Sequence, residues 1–137
     1  MDWLTTVDHK KIGILYFIAG FFFFLIGGLE AIIIRIQLLK PMNDVVAGDT
    51  FNELITMHGT TMIFLAAMPL LFALMNAVIP LQIGARDVAF PFLNSLGFWT
   101  FFFGGVLLNL SWFAGAVPDA GWTSYVPLAG SIYSSGH

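Results

Sequence analysis

The chain has 137 residues, of which 58% are hydrophobic, 16% aromatic and only 9% charged, and its formal net charge is −3. Because soluble domains carry about 25% charged residues, this composition excludes an ordinary water-soluble protein and indicates a chain that lies within a lipid bilayer. No nucleic-acid partner is expected.

Three apolar segments follow one another along the chain. Ile12–Ile34 has Glu30 as its only charge, Leu54–Pro80 has none apart from any proton on His58, and Phe92–Ala116 has none. A membrane-spanning helix needs roughly 20 such residues. We therefore predict an all-α membrane protein in which residues 1–137 form one unit with three transmembrane helices, at about 12–36, 54–80 and 92–116.

The connections between the predicted helices differ in character. The first, Leu38–Phe51, is polar enough to lie in water. The second, Leu81–Phe90, is compact, since Gly84 permits a tight turn and Pro91 suits the first position of a helix. Within the second helix, Pro69 lacks a backbone donor and is expected to bend it.

The basic residues of the short loops predict the orientation. Lys10 and Lys11 precede the first helix, and Arg86 lies between the second and third. Against these stand Arg35 and Lys40 near the first connection, where three carboxylates also lie, and no basic residue follows the third helix. The positive-inside rule therefore places the N-terminus in the cytoplasm and residues 118–137 outside. The first segment is not a signal peptide, because its apolar stretch is too long and no small-residue cleavage site follows it.

The C-terminal residues 131–137 resemble a loop that is interrupted midway, so we expect the chain to be part of a longer protein. Three helices joined by short loops cannot surround a large cofactor by themselves. The chain has no cysteine, so any metal must be bound through imidazole or oxygen.

His58 is the one histidine within the apolar helices, about five residues from the charged edge at Glu53. An imidazole in hydrocarbon indicates a ligand, a proton relay or a firm hydrogen bond. Haem iron is the leading candidate ligand, and Gly59, Thr60 and Thr61 are small enough to leave room for a flat macrocycle. The alternative is a histidine that is hydrogen-bonded to a neighbouring helix.

A second group of polar residues is expected at the opposite membrane face. Asn76 and Asn94 lie one turn inside the second and third helices, and Asp87 lies in the loop between them. The helical hairpin can bring this carboxylate and both amides around one small aqueous mouth. From His58 to Pro80, at the end of the second helix, is about 33 Å at about 1.5 Å per residue. Such a mouth could collect protons. Alternatively, Asp87 solvates a loop and the asparagines join helices.

Glu30 and Arg35 stand near the outer end of the first helix. Five helical residues separate them by about 140° of rotation, so they are poorly placed to pair. Arg35 could extend outward to water or donate to a polar group of a buried cofactor. Gly27 and Gly28 allow close contact between helices.

Four stretches carry a resemblance to a known family: LTTVDHKKIG at 4–13, ITMHGTTMIF at 55–64, VIPLQIGARDVAFP at 78–91 and GWTSYVPL at 121–128. In this order and at these separations they resemble subunit I of the bacterial haem-copper terminal oxidases. The resemblance is closest to the cytochrome c oxidases of Gram-positive bacteria, with the quinol oxidases next. It implies a larger bundle of about twelve helices in the bacterial plasma membrane.

The resemblance implies roles for individual residues. His58 matches the first axial ligand of the low-spin haem, and Arg35 matches the arginine that binds the formyl group when this haem is of type A. Trp122 matches a tryptophan near the haem propionates. Asp87 matches the carboxylate at the entrance of the D proton channel, with Asn76 and Asn94 as asparagines that line its first section. Phe51 departs from the pattern, since other members have a tyrosine there whose hydroxyl reaches a propionate.

Other parts of the catalytic centre have no counterpart in this chain. The resemblance places the second low-spin haem histidine, the high-spin haem ligand and the copper histidines beyond residue 137. His9 and His137 match none of them. Residues 1–137 therefore hold no oxygen-reducing centre of their own.

The implied reaction is reduction of dioxygen to water, coupled to proton pumping, with electrons from cytochrome c or quinol. The implied partners are the rest of subunit I and subunits II and III. A membrane anchor with a b-type haem is an alternative, although it would need a second axial histidine from a second copy. A helical scaffold without a cofactor is another.

Overall fold

The computed structural model describes residues 3–134. Within them, helix α1 spans His9–Gln37, α2 spans Gly48–Thr60, a π-helical segment spans Thr61–Ala67, α3 spans Met68–Gln82 and α4 spans Pro91–Ala114. The π-helical segment joins α2 to α3 without a break. Three continuous helices of the described residues are thus long and apolar enough to cross a membrane: His9–Gln37, Gly48–Gln82 and Pro91–Ala114. The predicted all-α membrane architecture is confirmed.

The helix ends follow local chemistry. α1 begins at His9 because the Asp8 carboxylate accepts a hydrogen bond from the backbone N–H of Lys10 at 2.9 Å and caps the helix. α2 begins at Gly48, well before the expected Leu54, so the last part of the expected polar loop is helical. Hydropathy marks only the part of a helix that lies in lipid. In α2 the helical hydrogen bonds of the backbone extend beyond that part into the polar residues before Leu54.

The second connection has the expected turn chemistry. Gly84 has a φ of +69°, which glycine adopts without steric cost, and Pro91 occupies the first turn of α4. The helical hairpin that carries Asn76, Asp87 and Asn94 is therefore compact.

Pro69 does not interrupt the second membrane-spanning helix. The π-helical segment lies directly before it, and Pro69 itself is fully buried. A proline lacks the N–H donor and its ring crowds the carbonyl of the preceding turn. The wider turn of the π-helical segment lies where it can accommodate both effects.

One face of α1 packs closely against the second membrane-spanning helix. A Cβ atom added at Gly20 would lie 3.2 Å from the Pro69 Cβ, and one added at Gly27 would lie 2.8 Å from the Met62 sulfur. Small residues at such contacts let helix backbones approach one another within a bilayer. The expectation of close contact at both Gly27 and Gly28 is correct for Gly27 only, because Gly28 has nothing within 4 Å.

Another face of α1 packs against α4. The rings of Tyr16 and Phe98 meet edge to face with centroids 5.1 Å apart, and Phe23 meets Phe101 in the same way at 6.0 Å. In α4 itself only Phe98 and Gly105 are buried. Much of the remaining apolar surface of this helix is therefore left for lipid or for further helices to cover.

Candidate functional site

His58 lies in the last turn of α2 and is half-buried. Its Nδ1 is 2.9 Å from the backbone oxygen of Gly27 on α1. Because a carbonyl oxygen only accepts, Nδ1 must carry the hydrogen, and in a neutral imidazole the lone pair then resides on Nε2. Among the described residues, no hydrogen bond reaches Nε2. The hydrogen bond to a neighbouring helix is thus present, and it leaves the other nitrogen available as a ligand.

Close packing supports this hydrogen bond. Met62 and Thr61 lie against Gly27, so a larger residue there would push α1 away from His58. Thr61 is completely buried. The Gly27 carbonyl therefore reaches the imidazole only because the two helices are in close contact.

Trp122 lies beside the helical turn that carries His58. Its indole Cδ1 is 3.2 Å from the position that a Cβ of Gly59 would occupy, and its ring centroid is 6.2 Å from that of Phe64. The space beside Gly59, which was expected to accommodate a flat macrocycle, is therefore filled by this indole. Trp122 is still 52% exposed.

Arg35 is exposed near the end of α1. The described residues provide it with no hydrogen bond or ion pair, so it does not pair with Glu30, as expected from their relative rotation. Glu30 is buried at 5% exposure. Arg35 lies eight residues beyond Gly27, or about 12 Å farther along the helix, and the structure does not join it to His58 or Trp122.

The polar residues at the other end of the second membrane-spanning helix come together. The Asn94 Nδ2 donates to the Asn76 Oδ1 at 2.6 Å, and the Asn76 Nδ2 donates to the backbone oxygen of Phe72 at 2.9 Å. A cavity of about 400 Å³ is lined by Asn76, Asp87 and Asn94 together with apolar side chains. The hairpin thus brings one carboxylate and two amides around a single mouth.

His9 also lies at this mouth, and no sequence pattern predicted it there. Its Nδ1 is 3.1 Å from the Asp87 Oδ1, which also accepts the backbone N–H of Val88 at 2.8 Å. His9 is 2% exposed, and within residues 3–134 its Nε2 is buried without a partner. The two residues are 78 positions apart, so no spacing pattern connects them.

The described part of the chain contains no cluster of three or more histidine, aspartate or glutamate side chains that could hold a metal ion. His137 lies outside the described residues. A metal at His58 would therefore not be held by such a cluster within residues 3–134.

Comparison with known proteins gives consistent matches over nearly the whole chain. The family described as Cytochrome C and Quinol oxidase polypeptide I matches residues 11–136. Cytochrome c oxidase subunit 1 of Bacillus subtilis (strain 168) is 73% identical over 136 residues, and that of Bacillus sp. (strain PS3) is 72% identical over 136 residues. Each alignment covers 99% of this chain and 22% of the relative.

Quinol oxidase subunit 1 of Bacillus subtilis (strain 168) is also similar, with 53% identity over 135 residues, 98% of this chain and 21% of the relative. The chain thus spans about a fifth of the length of the curated relatives it matches.

Proposed function

The chain belongs to the Cytochrome C and Quinol oxidase polypeptide I family, and we propose that it forms the first three membrane spans of the subunit 1 of a cytochrome c oxidase. Members of this family bind haems and copper. In the proposed complex, the rest of subunit I and subunits II and III complete an enzyme of the bacterial plasma membrane. That enzyme reduces dioxygen to water and pumps protons, and about twelve helices make up its subunit I.

Cytochrome c is the proposed electron donor, because identity is 73% to a cytochrome c oxidase subunit and 53% to a quinol oxidase subunit of the same organism. Quinol is the alternative donor within the same family. Membership in this family does not favour a b-type haem anchor or a cofactor-free scaffold.

We propose that His58 is an axial ligand of the low-spin haem, which we expect to be of type A rather than type O. The observation that carries this proposal is the hydrogen bond from Nδ1 to the Gly27 oxygen. Metal-bound histidines usually donate their second ring N–H to a backbone carbonyl or carboxylate, which fixes the tautomer and the ring orientation. When bound, the haem supplies one-electron transfer. The apolar helices around His58 keep water away from the haem.

Arg35 and Trp122 have proposed supporting roles at the haem. The exposed guanidinium of Arg35 has no partner among the described residues, so its donors remain available for the formyl oxygen of a type A haem. The indole of Trp122 stands beside the turn that carries His58, and we propose that it lies near the propionates. Phe51 cannot make the hydrogen bond that a tyrosine hydroxyl would provide there.

We propose that Asp87 forms the cytoplasmic entrance of the D proton channel, with the N-terminus of the chain on the same side. The Asp87 carboxylate borders the cavity that contains both asparagines. The paired amides of Asn76 and Asn94 offer donors and acceptors without net charge, so they can order water without trapping a proton. His9 holds the Asp87 carboxylate at the mouth through its Nδ1.

The haem assignment is tested by His58→Ala in the full-length oxidase. The reduced-minus-oxidised spectrum should lose the low-spin haem signal, because no other imidazole among residues 3–134 lies at that depth. His9→Asn removes the second imidazole of the described residues and should retain the haem spectrum. A wild-type spectrum in His58→Ala refutes the ligand assignment.

The channel assignment is tested by Asp87→Asn in the oxidase reconstituted into vesicles. Turnover or the number of protons pumped per electron should fall while haem content stays intact, because the amide cannot carry a proton inward. Asp44→Asn changes an exposed aspartate of the first connection and is the matched control. Wild-type turnover and normal proton stoichiometry in Asp87→Asn contradict the assignment.

A further inference from the structure

The segment that carries Trp122 is tied to α2 through one threonine side chain. The backbone N–H of Gly121 donates to the Thr56 Oγ1 at 2.9 Å. The same hydroxyl donates to the backbone oxygen of Asn52 at 2.8 Å, and Thr56 is only 2% exposed. A hydroxyl has one donor and two lone pairs. Since its hydrogen is engaged by Asn52, a lone pair is directed at Gly121.

The two contacts of this segment lie on one face of α2. Thr56 and Gly59 are three residues apart, and residues at this spacing lie one above the other on a helix. Thr56 binds Gly121, while Gly59 lies against the next residue, Trp122, and lacks the Cβ that would displace the indole. Trp122 is half exposed, so its ring contacts leave much of its surface free. The part-buried hydrogen bond from Gly121 to Thr56 provides the directional constraint.

We propose that Thr56 is a positioning residue of the haem site. Its hydroxyl fixes Gly121 against α2, and this places the Trp122 indole beside the helical turn of His58. Thr56 acts through Trp122 and does not itself touch the cofactor. The expected effect of Thr56 on the haem potential rests on the proposed function. The hydrogen bond that positions the Trp122 segment is a property of this chain alone.

The bond to Gly121 distinguishes Thr56 from other helical threonines of the described residues. Thr100 on α4 makes the same bond to the carbonyl four residues earlier, at 2.9 Å from the Leu96 oxygen, and it is exposed. Such bonds within a helix are common for threonine. Thr100→Val is therefore a matched control that removes the local bond and leaves the Trp122 segment untouched.

The positioning contact is tested by hydrogen–deuterium exchange of the intact oxidase, followed by mass spectrometry of peptides that cover residues 118–126. Thr56→Val preserves shape and removes the hydroxyl, and exchange there should become about two- to tenfold faster, as expected for loss of one hydrogen bond. Thr56→Ser keeps the hydroxyl and should exchange at the wild-type rate, as should Thr100→Val. Should Thr56→Val not assemble, Thr56→Ala provides the same comparison. Wild-type exchange in the variant that lacks the hydroxyl overturns the proposal.

The consequence for the haem is tested by potentiometric titration of the low-spin haem in the same oxidase. Thr56→Val should shift the midpoint potential in the same direction as Trp122→Phe, and the double variant should shift it no further than Trp122→Phe alone. Additive shifts, or a wild-type potential in both single variants, overturn the proposal. Failure of the proposed function would show differently, as an unaltered haem spectrum in His58→Ala.

Discussion

Gly105 is the position where the contact between α1 and α4 tolerates least change. A Cβ added there would lie 2.7 Å from the Phe23 Cζ and 3.0 Å from the Leu65 Cδ2, whereas carbon atoms normally approach to about 3.5–4.0 Å. Phe23 is 1% exposed and packs edge to face on Phe101, so its ring has no space to withdraw. We expect the steric clash in Gly105→Ala to cost about 1–3 kcal/mol, the usual cost of overpacking a core.

Gly104→Ala is the matched control for this prediction, because nothing lies within 4 Å of a Cβ at Gly104. Both substitutions gain about 1 kcal/mol of helix propensity, so the difference between them isolates the steric cost. The assay is the thermal unfolding midpoint of the intact oxidase in one detergent. Gly105→Ala should unfold at a lower temperature than Gly104→Ala, and equal midpoints would refute the close packing of α1 on α4.

Three further substitutions test other contacts. The Gln37 Oε1 accepts hydrogen bonds from the backbone N–H groups of Val45 and Val46 at 3.0 and 3.1 Å. Gln37→Leu should therefore speed hydrogen exchange of that loop at least about fivefold. Unchanged exchange would contradict this. Gly115 ends α4 with a φ of +67°, and Gly115→Ala should cost about 1–2 kcal/mol in thermal stability; a midpoint equal to that of Gly104→Ala would argue against it. Asn94→Leu leaves the buried Asn76 oxygen without its donor and should cost about 1–3 kcal/mol, whereas Thr100→Val should stay near wild type; equal stability of the two would count against the amide pair.

The membrane architecture follows from hydropathy, since each apolar segment must form its backbone hydrogen bonds internally once it lies in lipid. The same reasoning cannot locate the start of α2, because residues 48–53 are polar and form a helix outside the apolar stretch. The π-helical segment is also beyond a local pattern. Pro69, which follows it closely, packs against Gly20 of a different helix.

The mouth at Asp87 and the surroundings of His58 differ in how far the sequence predicts them. Asn76, Asp87 and Asn94 belong to one short helical hairpin, so their meeting at one mouth follows from local geometry. His9 reaches the same mouth from the start of α1, and no periodicity connects it to Asp87. For His58, the cost of burying an imidazole predicts a partner, but only the packing of α1 shows that one partner is the Gly27 carbonyl.

The most direct test of the haem assignment is a density map of the complete oxidase. It should show a porphyrin beside α2, the Nε2 of His58 within bonding distance of the iron, and Nδ1 still hydrogen-bonded to the Gly27 oxygen. A map in which that nitrogen faces another protein side chain, with the iron bound elsewhere, would contradict the assignment.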